Sequence, residues 1–181
     1  TCYGVHLDKG DDIADISSTF PAYPPQLTSM STFEYGTANL ANGASGKSAA
    51  WTEDPADKMD RRVSNKSDDT YAKGNKTSET YYDVHLGKGD EIADRSFNFT
   101  ADGSTVKTLS IYEYGTAALG NGVTGNRASV TNNPEDMMVR SVSHKSDASY
   151  AQGNQTSETY YDIHLGKGDE IADRSFNYAG D

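Results

Sequence analysis

The sequence predicts an α+β fold, built as a loop-rich tandem repeat with short strands, one short helix per unit and a low content of regular secondary structure. Three observations support this prediction. Segments return at a constant spacing of 79 residues, short stretches alternate between apolar and polar side chains, and signals typical of a helix start recur once per unit.

The repeat sets the organisation of the chain. Its opening segment, TYYDVHLGKGDEIADRSFNF at 80–99, returns as TYYDIHLGKGDEIADRSFNY at 159–178, and a more divergent copy stands at 1–20. The middle of the unit returns with the same spacing and without gaps. Such fidelity implies that equal units make equal contacts, either as stacked neighbours or as duplicated small domains.

We divide the chain into three units: unit 1 at 1–79, unit 2 at 80–158, and a partial unit 3 at 159–181 that holds the opening segment alone. Unit 1 is divergent in a Pro-rich stretch at 18–30. Because proline fixes φ, this stretch is expected to be extended, as a surface loop or as an arm that docks on a partner.

Two strands are predicted in each unit from a period of two. In unit 2 the first spans Thr80–Leu86, with Tyr82 on one face and with Tyr81 and Asp83 on the other, polar face. The second spans Thr108–Tyr114. Each has a counterpart in unit 1.

The predicted helix follows the second strand. Asn133 is a favoured N-cap, Pro134 suits the first helical position, and two acids occupy the first turn. Met138 and Val142 are four residues apart and would form a narrow apolar stripe. This stripe supports a helix of only two or three turns.

Composition limits the function classes. Leu, Ile, Val and Phe make up about a seventh of the residues, the net charge is −11, and there are 12 tyrosines. Such a chain has little apolar surface for a core of its own, so ordering against its own repeats or a partner is expected. The acidic charge disfavours nucleic-acid binding, and no apolar run is long enough to span a membrane.

No catalytic constellation stands out, so we predict that the protein is not an enzyme. His6, His85 and His164 recur beside acids, but a hydrogen-bonded histidine on a strand explains them better than a metal ligand. The G-x-G-x-x-G match at 120–125 lacks the βαβ context of a phosphate-binding loop, and no EF-hand spacing is present.

Three residues are candidates for modification. Cys2 is the single cysteine, and it is either incidental or an attachment point for a pigment or an intermolecular disulfide. Apart from such a pigment, no cofactor is expected. Asn75 and Asn154 occupy equivalent glycosylation sequons in loops beside glycine.

Tyrosines are the predicted partner-docking residues, namely Tyr35, Tyr82, Tyr112, Tyr114 and Tyr161. The sequence therefore favours a non-catalytic scaffolding protein of the linker type, ordered within a larger complex of repeated protein subunits; a light-harvesting antenna linker is one instance. The alternative is a secreted or cell-surface repeat glycoprotein, as in a fibre, a sheath or an adhesion component. We expect a soluble protein, either of an organelle lumen or stroma or of the extracellular space.

Overall fold

The computed structural model describes residues 2–4, 13–20, 27–52, 54 and 56–179. Within these residues the chain forms one antiparallel sheet of twelve strands. In chain order they are β1 Cys2–Gly4, β2 Ile13–Thr19, β3 Ser29–Gly36, β4 Lys47–Ser48, β5 Lys58–Lys66, β6 Lys76–Asp83, β7 Ile92–Phe99, β8 Val106–Gly115, β9 Asn126–Arg127, β10 Met137–Lys145, β11 Gln155–Asp162 and β12 Ile171–Asn177.

The sheet is a meander that follows the repeat. Ten strands lie side by side in chain order, while the short strands β4 and β9 pair with β3 and β8. Strands β3, β5, β6 and β7 correspond to β8, β10, β11 and β12 at the 79-residue spacing, and the partner registers correspond as well. Neighbouring units therefore share one continuous hydrogen-bonded sheet.

The predicted α+β class, with one short helix per unit, is wrong. Nearly all regular structure in the described residues is strand, which occupies about half of them, so the predicted low content of regular structure is wrong too. The described helical segments are two 3-10 turns of three residues, Ala49–Trp51 and Ala128–Val130.

The helix prediction fails at its first turn. The Asn133 side chain accepts the Glu135 N–H at 3.0 Å, and the Asp136 N–H donates to the Asn133 carbonyl at 3.1 Å. This Asx-type turn uses the same residue types as a helix cap. It leads directly into β10, which gains strand partners on both sides from β8 and β11.

The strand prediction for Thr108–Tyr114 is confirmed in position, whereas the one for Thr80–Leu86 is right only over 80–83. The stretch Thr108–Tyr114 lies inside β8, and the stretch Thr80–Leu86 overlaps β6, which begins earlier and ends at Asp83. However, the face of β6 that looked polar is the buried one, because Tyr81 and Asp83 are almost fully buried.

The register defines two faces of the sheet, since directly paired residues point the same way. One face carries the row Glu34, Arg61, Tyr81 and Arg95, and we call it the charged face. The other face carries a row of hydroxyl side chains, and we call it the hydroxyl face. That row runs through Thr80, Ser96, Ser110, Ser143 and Ser157.

The main apolar cluster lies where unit 1 meets unit 2. Its buried members come from β6, β7 and β8: Tyr81, Phe97, Val106, Leu109 and Ile111. Partly buried Leu40 and Tyr150 cover them from two loops, 37–46 and 146–153. The buried members therefore all belong to unit 2, and Leu40 of unit 1 packs against them.

Among the described residues, no helix has the length and apolar character needed to cross a bilayer. The central part of the Pro-rich stretch, 21–26, lies outside the described residues, and so does His6. Cys2 is part of β1, but its side chain lies outside the description.

Candidate functional site

The charged face holds a buried network centred on Arg61. Its guanidinium donates to Glu34 at 3.0 Å and to Glu79 at 2.6 Å. Glu79 also accepts hydrogen bonds from Lys76 and, at 2.9 Å, from the Tyr81 hydroxyl. Burial favours a raised pKa for Glu79, but these donors outweigh it and hold the pKa below its usual value.

Unit 2 repeats this network around Arg140, which pairs with Glu113 at 3.0 Å and with Glu158. The third donor differs. Gln155 replaces Lys76, and the Tyr178 hydroxyl, which has no counterpart on Phe99, donates to Glu158 at 2.7 Å. The pair Lys76 and Phe99 is thus replaced by the pair Gln155 and Tyr178 one repeat later. In both cases the buried carboxylate keeps a third donor, which is Lys76 for Glu79 and Tyr178 for Glu158.

Each buried tyrosine is flanked by two guanidinium groups. Arg61 and Arg95 lie 5.6 and 4.6 Å from the ring centroid of Tyr81. Arg140 and Arg174 lie 5.6 and 4.7 Å from that of Tyr160. These cation–π contacts stabilise the row that crosses from one unit's strands to the next unit's opening segment.

Two loops lock this row from above, and we call 37–46 and 116–125 the locking loops. In the first, the Gly43 N–H donates to the Tyr81 hydroxyl at 2.8 Å, and the Leu40 carbonyl accepts from Arg95 at 2.7 Å. Gly122 contacts Tyr160 at 2.8 Å in the second loop. Each loop leaves from one unit and binds the opening segment of the following unit.

His85 is held by two acceptors. Its Nδ1 contacts the Asp83 carboxylate and its Nε2 lies 2.7 Å from the Thr131 carbonyl. The hydrogen bond to Asp83 raises the pKa of His85 because it favours the doubly protonated ring. The equivalent His164 also contacts Asp162 but is largely exposed, so the contact with Thr131, which lies within unit 2, is specific to His85.

Asp60 departs from the repeat, because unit 2 has Val139 in its place. The Asp60 side chain is 1% exposed, and neither carboxylate oxygen has a hydrogen-bond partner among the described residues. A Cβ on Gly36 or Gly46 would lie 2.5 Å from one of these oxygens. Burial, together with the nearby Glu34 charge, raises the pKa of Asp60 to about 7.

Tyr71 and Tyr150 share a left-handed backbone conformation that is rare for a bulky side chain, with φ of 59° and 62°. The ring of Tyr150 packs edge-on against Phe97, with centroids 4.9 Å apart, and its hydroxyl reaches Glu79 at 3.4 Å. Tyr71 is 60% exposed. The same strained turn thus presents a covered ring in unit 2 and an uncovered ring in unit 1.

The carboxylate of Glu79 is surrounded by hydrogen-bond donors. Glu79 accepts from Arg61, Lys76, Tyr81 and Tyr150, so its lone pairs are engaged. In the described part of the chain, no group of three or more His, Cys, Asp or Glu side chains is placed to hold a metal ion.

The predicted docking tyrosines divide into two sets. Tyr35 and Tyr114 are buried, and their hydroxyls donate to the carbonyls of Ala14 and Ala93. The others are half-buried. Each lies two residues along its strand from a Ser or Thr of the hydroxyl face and therefore points to that same face; these are Tyr82, Tyr112 and Tyr161. Burial raises the pKa of Tyr82 and Tyr112, so both remain neutral donors.

Asn75 and Asn154 both lie in the exposed turns that precede β6 and β11. The Asn75 side chain donates to the Ala101 carbonyl at 3.1 Å. The predicted attachment at Cys2 stays a prediction.

No protein-family model, curated protein or solved structure matches this chain. The function therefore has to be inferred from its own geometry.

Sequence reasoning missed the charged network entirely. Charged residues are rarely buried, and for this reason the sequence did not predict three of them as core positions, namely Arg61, Glu79 and Asp60. One signal could have revealed them: Glu34, Arg61 and Glu79 recur unchanged in unit 2 while many neighbouring surface positions differ.

Proposed function

We propose that this chain is a non-catalytic structural protein, a rigid β-sheet scaffold that presents equal docking surfaces to a larger assembly of protein subunits. The interlocked joint between units is the observation that carries the proposal. A row of Glu, Arg, Tyr and Arg crosses from unit 1 into unit 2 and again from unit 2 into unit 3, and each row is closed by a locking loop from the unit before the crossing.

The joint favours rigidity for a physical reason. Breaking a buried ion pair leaves an uncompensated charge, which costs about 3–5 kcal/mol. Bending the sheet between units would separate Arg95 from Leu40 and Tyr81 from Gly43, and it would expose Glu79 without its donors. Successive units are therefore held at a fixed spacing and orientation.

The hydroxyl face suits docking. It offers Ser and Thr hydroxyls together with half-buried tyrosine rings. Tyr82 and Tyr161 are equivalent residues in successive units, so a repeated partner would meet the same group twice. Tyrosine combines a large contact area with a hydrogen-bonding hydroxyl and is enriched at interfaces.

The test is the size and composition of the native particle. We expect the chain, of 19.5 kDa, to sediment in a far larger particle that contains other protein subunits. Tyr112→Glu should release it, because a charge on the hydroxyl face disfavours docking. Val123→Glu is the matched control, since Val123 is exposed on the second locking loop above the opposite face. A chain that sediments without other subunits would contradict the proposal.

The antenna linker is one instance of this class, and it adds a specific expectation. If Cys2 carries a pigment, visible absorbance should co-migrate with the denatured chain and be lost in Cys2→Ser. Without that absorbance, the proposal reduces to an unpigmented scaffold.

A surface glycoprotein is the second candidate, and the exposure of Asn75 and Asn154 favours it. Both sequons lie on turns where a glycan would not disturb the sheet. Mass spectrometry of the native chain should then show hexose-containing additions at both residues. Unmodified peptides covering both sites would exclude this candidate.

A further inference from the structure

Three half-buried tyrosines of the hydroxyl face lie across the sheet in the same direction. Each hydroxyl contacts a side chain of the strand before it in the sheet; the pairs are Tyr82 with Arg62, Tyr112 with Ser96, and Tyr161 with Ser141. In each pair the contacted residue is the strand partner of the residue two positions before the tyrosine. A side chain that reaches this diagonal neighbour lies along the sheet, whereas strand side chains ordinarily stand perpendicular to it. Each ring therefore packs one face on the sheet and turns the other outward.

The outward ring faces recur on every second neighbouring strand. Thr80 and Ser110 are aligned through β7, and Tyr82 and Tyr112 lie two residues beyond them on strands that run in the same direction. The two tyrosines are therefore level in the sheet and two strand spacings apart, a separation of about 9.6 Å. Tyr161 lies two strands further along the sheet and one step of the pleat higher. We call these three tyrosines the tyrosine row.

A polyproline II helix has nearly the same period as the first two rings. It has three residues per turn and rises about 3.1 Å per residue, so every third residue returns to the same side after about 9.3 Å. Proline-rich segments of this conformation bind aromatic-lined surfaces in protein recognition, and their preformed shape reduces the entropy lost on binding. Two prolines one turn apart would therefore meet Tyr82 and Tyr112 at the same time.

The polar groups beside the tyrosine row also suit such a segment. The carbonyl groups of a polyproline II helix make no internal hydrogen bonds and need donors. The Tyr82 hydroxyl contacts Arg62, and arginine can only donate, so this contact leaves the tyrosine O–H free to donate to the partner. The Arg62 guanidinium also places a positive charge beside the row, which favours an acidic residue next to the prolines. A nucleic acid would stack on aromatic rings as well, but the net charge of −11 disfavours it.

We propose that a partner subunit docks on the tyrosine row through a polyproline II segment with proline at every third residue. This partner chemistry rests on the scaffold function proposed above. Proline rings one turn apart stack on Tyr82 and Tyr112, and the Tyr82 hydroxyl donates to a carbonyl of the segment. Arg62 pairs with a carboxylate that flanks the prolines.

The direct test is isothermal titration calorimetry of the full chain with two synthetic peptides of equal length. In acetyl-(Pro-Ala-Ala)4-amide the prolines share one side of the polyproline II helix, whereas in acetyl-(Pro-Ala-Ala-Ala)3-amide successive prolines point in different directions. We expect the first peptide to bind, and to bind more tightly than the second. No binding of the first peptide, or equal affinity for the two, would overturn the proposal.

Variants of the row test the two rings separately. Tyr82→Ala and Tyr112→Ala should each weaken binding of the first peptide roughly twofold to tenfold, the factor expected for one aromatic contact. Tyr82→Phe keeps the ring and should retain more affinity than Tyr82→Ala. Unchanged affinity in both alanine variants would overturn the assignment of the site.

Tyr71→Ala is the matched control. Tyr71 is 60% exposed and lies in the turn before β6, outside the tyrosine row. Its replacement removes an exposed tyrosine of the same chain and should leave the affinity for the peptide unchanged. Urea denaturation of every variant separates a lost contact from lost folding, because a variant that binds weakly should still unfold as cooperatively as the wild type. A loss in Tyr71→Ala as large as in the row variants would count against the proposal.

An extended glycan is the other occupant that could stack on these rings. Cellohexaose, titrated in the same way, supplies the comparison, and we expect no heat of binding. Cellohexaose binding that is lost in Tyr82→Ala, without binding of the first peptide, would overturn the proposal in favour of a carbohydrate partner.

Competition with the native particle separates this proposal from the scaffold function. An excess of the first peptide should release the chain from the particle, as Tyr112→Glu does. A particle that Tyr112→Glu disrupts and the peptide leaves intact would overturn the polyproline segment but not the scaffold function. A chain that sediments without other subunits would contradict the scaffold function, and the calorimetry would still decide whether the tyrosine row binds the peptide.

Discussion

Asp60→Val tests whether the buried carboxylate destabilises unit 1. Val139 occupies the equivalent position between the equivalent glycines, Gly115 and Gly125, so the valine side chain fits there in unit 2. Replacing Asp60 removes a carboxylate whose two oxygens are buried without hydrogen-bond partners. We therefore expect the variant to be more stable than wild type.

The size of the gain follows from the pKa. Burial raises the pKa of Asp60 from 3.8 to about 7. In the unfolded chain the group ionises near 3.8, so the folded state loses stability as pH rises from about 3.8 to about 7, and the loss is constant above that. At about 1.4 kcal/mol per pH unit, the loss reaches roughly 4 kcal/mol at pH 8 and stays below roughly 2 kcal/mol at pH 5.

Urea denaturation at pH 5 and pH 8 measures this difference. Asp60→Val should raise the free energy of unfolding more at pH 8 than at pH 5, by roughly 2–3 kcal/mol. Asp60→Asn is the matched control, since it removes the charge without adding apolar groups and should show the same dependence on pH. Val139→Asp, the reverse change in unit 2, should lower the free energy of unfolding. An equal gain at both pH values would refute the reasoning.

Three further predictions concern the paired groups around Tyr81, Arg61 and His85. Tyr81→Phe removes the hydroxyl that bridges Glu79 and the Gly43 N–H; it should cost about 1–3 kcal/mol in urea denaturation and speed hydrogen exchange at Gly43. Arg61→Met should lower the free energy of unfolding by about 3–5 kcal/mol at neutral pH, because it leaves the buried Glu79 carboxylate without its arginine partner. An unchanged free energy of unfolding would argue against the network. His85 has a raised pKa, so its contribution is fully present below about pH 6.5 and is lost as pH rises through the folded value. His85→Gln should therefore flatten the pH dependence of stability in that range, and an unchanged profile would contradict this assignment.

The sequence predicts the repeat and the position of β8 well, because both depend on local patterns. Thr108–Tyr114 lies inside β8, where Leu109 and Ile111 alternate with polar residues as a half-buried strand should. The inward face of β6 was misjudged, since its core residues are Glu79, Tyr81 and Asp83. A buried position that is charged or polar is recognised only once its partner on another strand is known.

The helix prediction shows a second limit. Asn133 and Pro134 suit a helix start and a tight turn equally, and the spacing of Met138 and Val142 fits both periods. What decides is pairing with β8 and β11, the adjacent long strands of the meander, which lie outside the segment that carries the pattern. The candidate site could not be predicted for the same reason. Arg61 is recognisable as a buried residue only once its ion pairs with Glu34 and Glu79 on other strands are known.

Lys76 and Phe99 are replaced by Gln155 and Tyr178 one repeat later. This paired difference bears on how such genes gain and lose units. Residues 80–98 and 159–177 are nearly identical, so this stretch is a natural place for unequal crossing-over. A deletion through it would join Lys76 to Tyr178, and the buried Glu would keep both extra donors. A duplication through it would join Gln155 to Phe99 and leave that carboxylate one donor short. Shortening the array by this route is structurally neutral, whereas lengthening it creates a defect that a second mutation must repair.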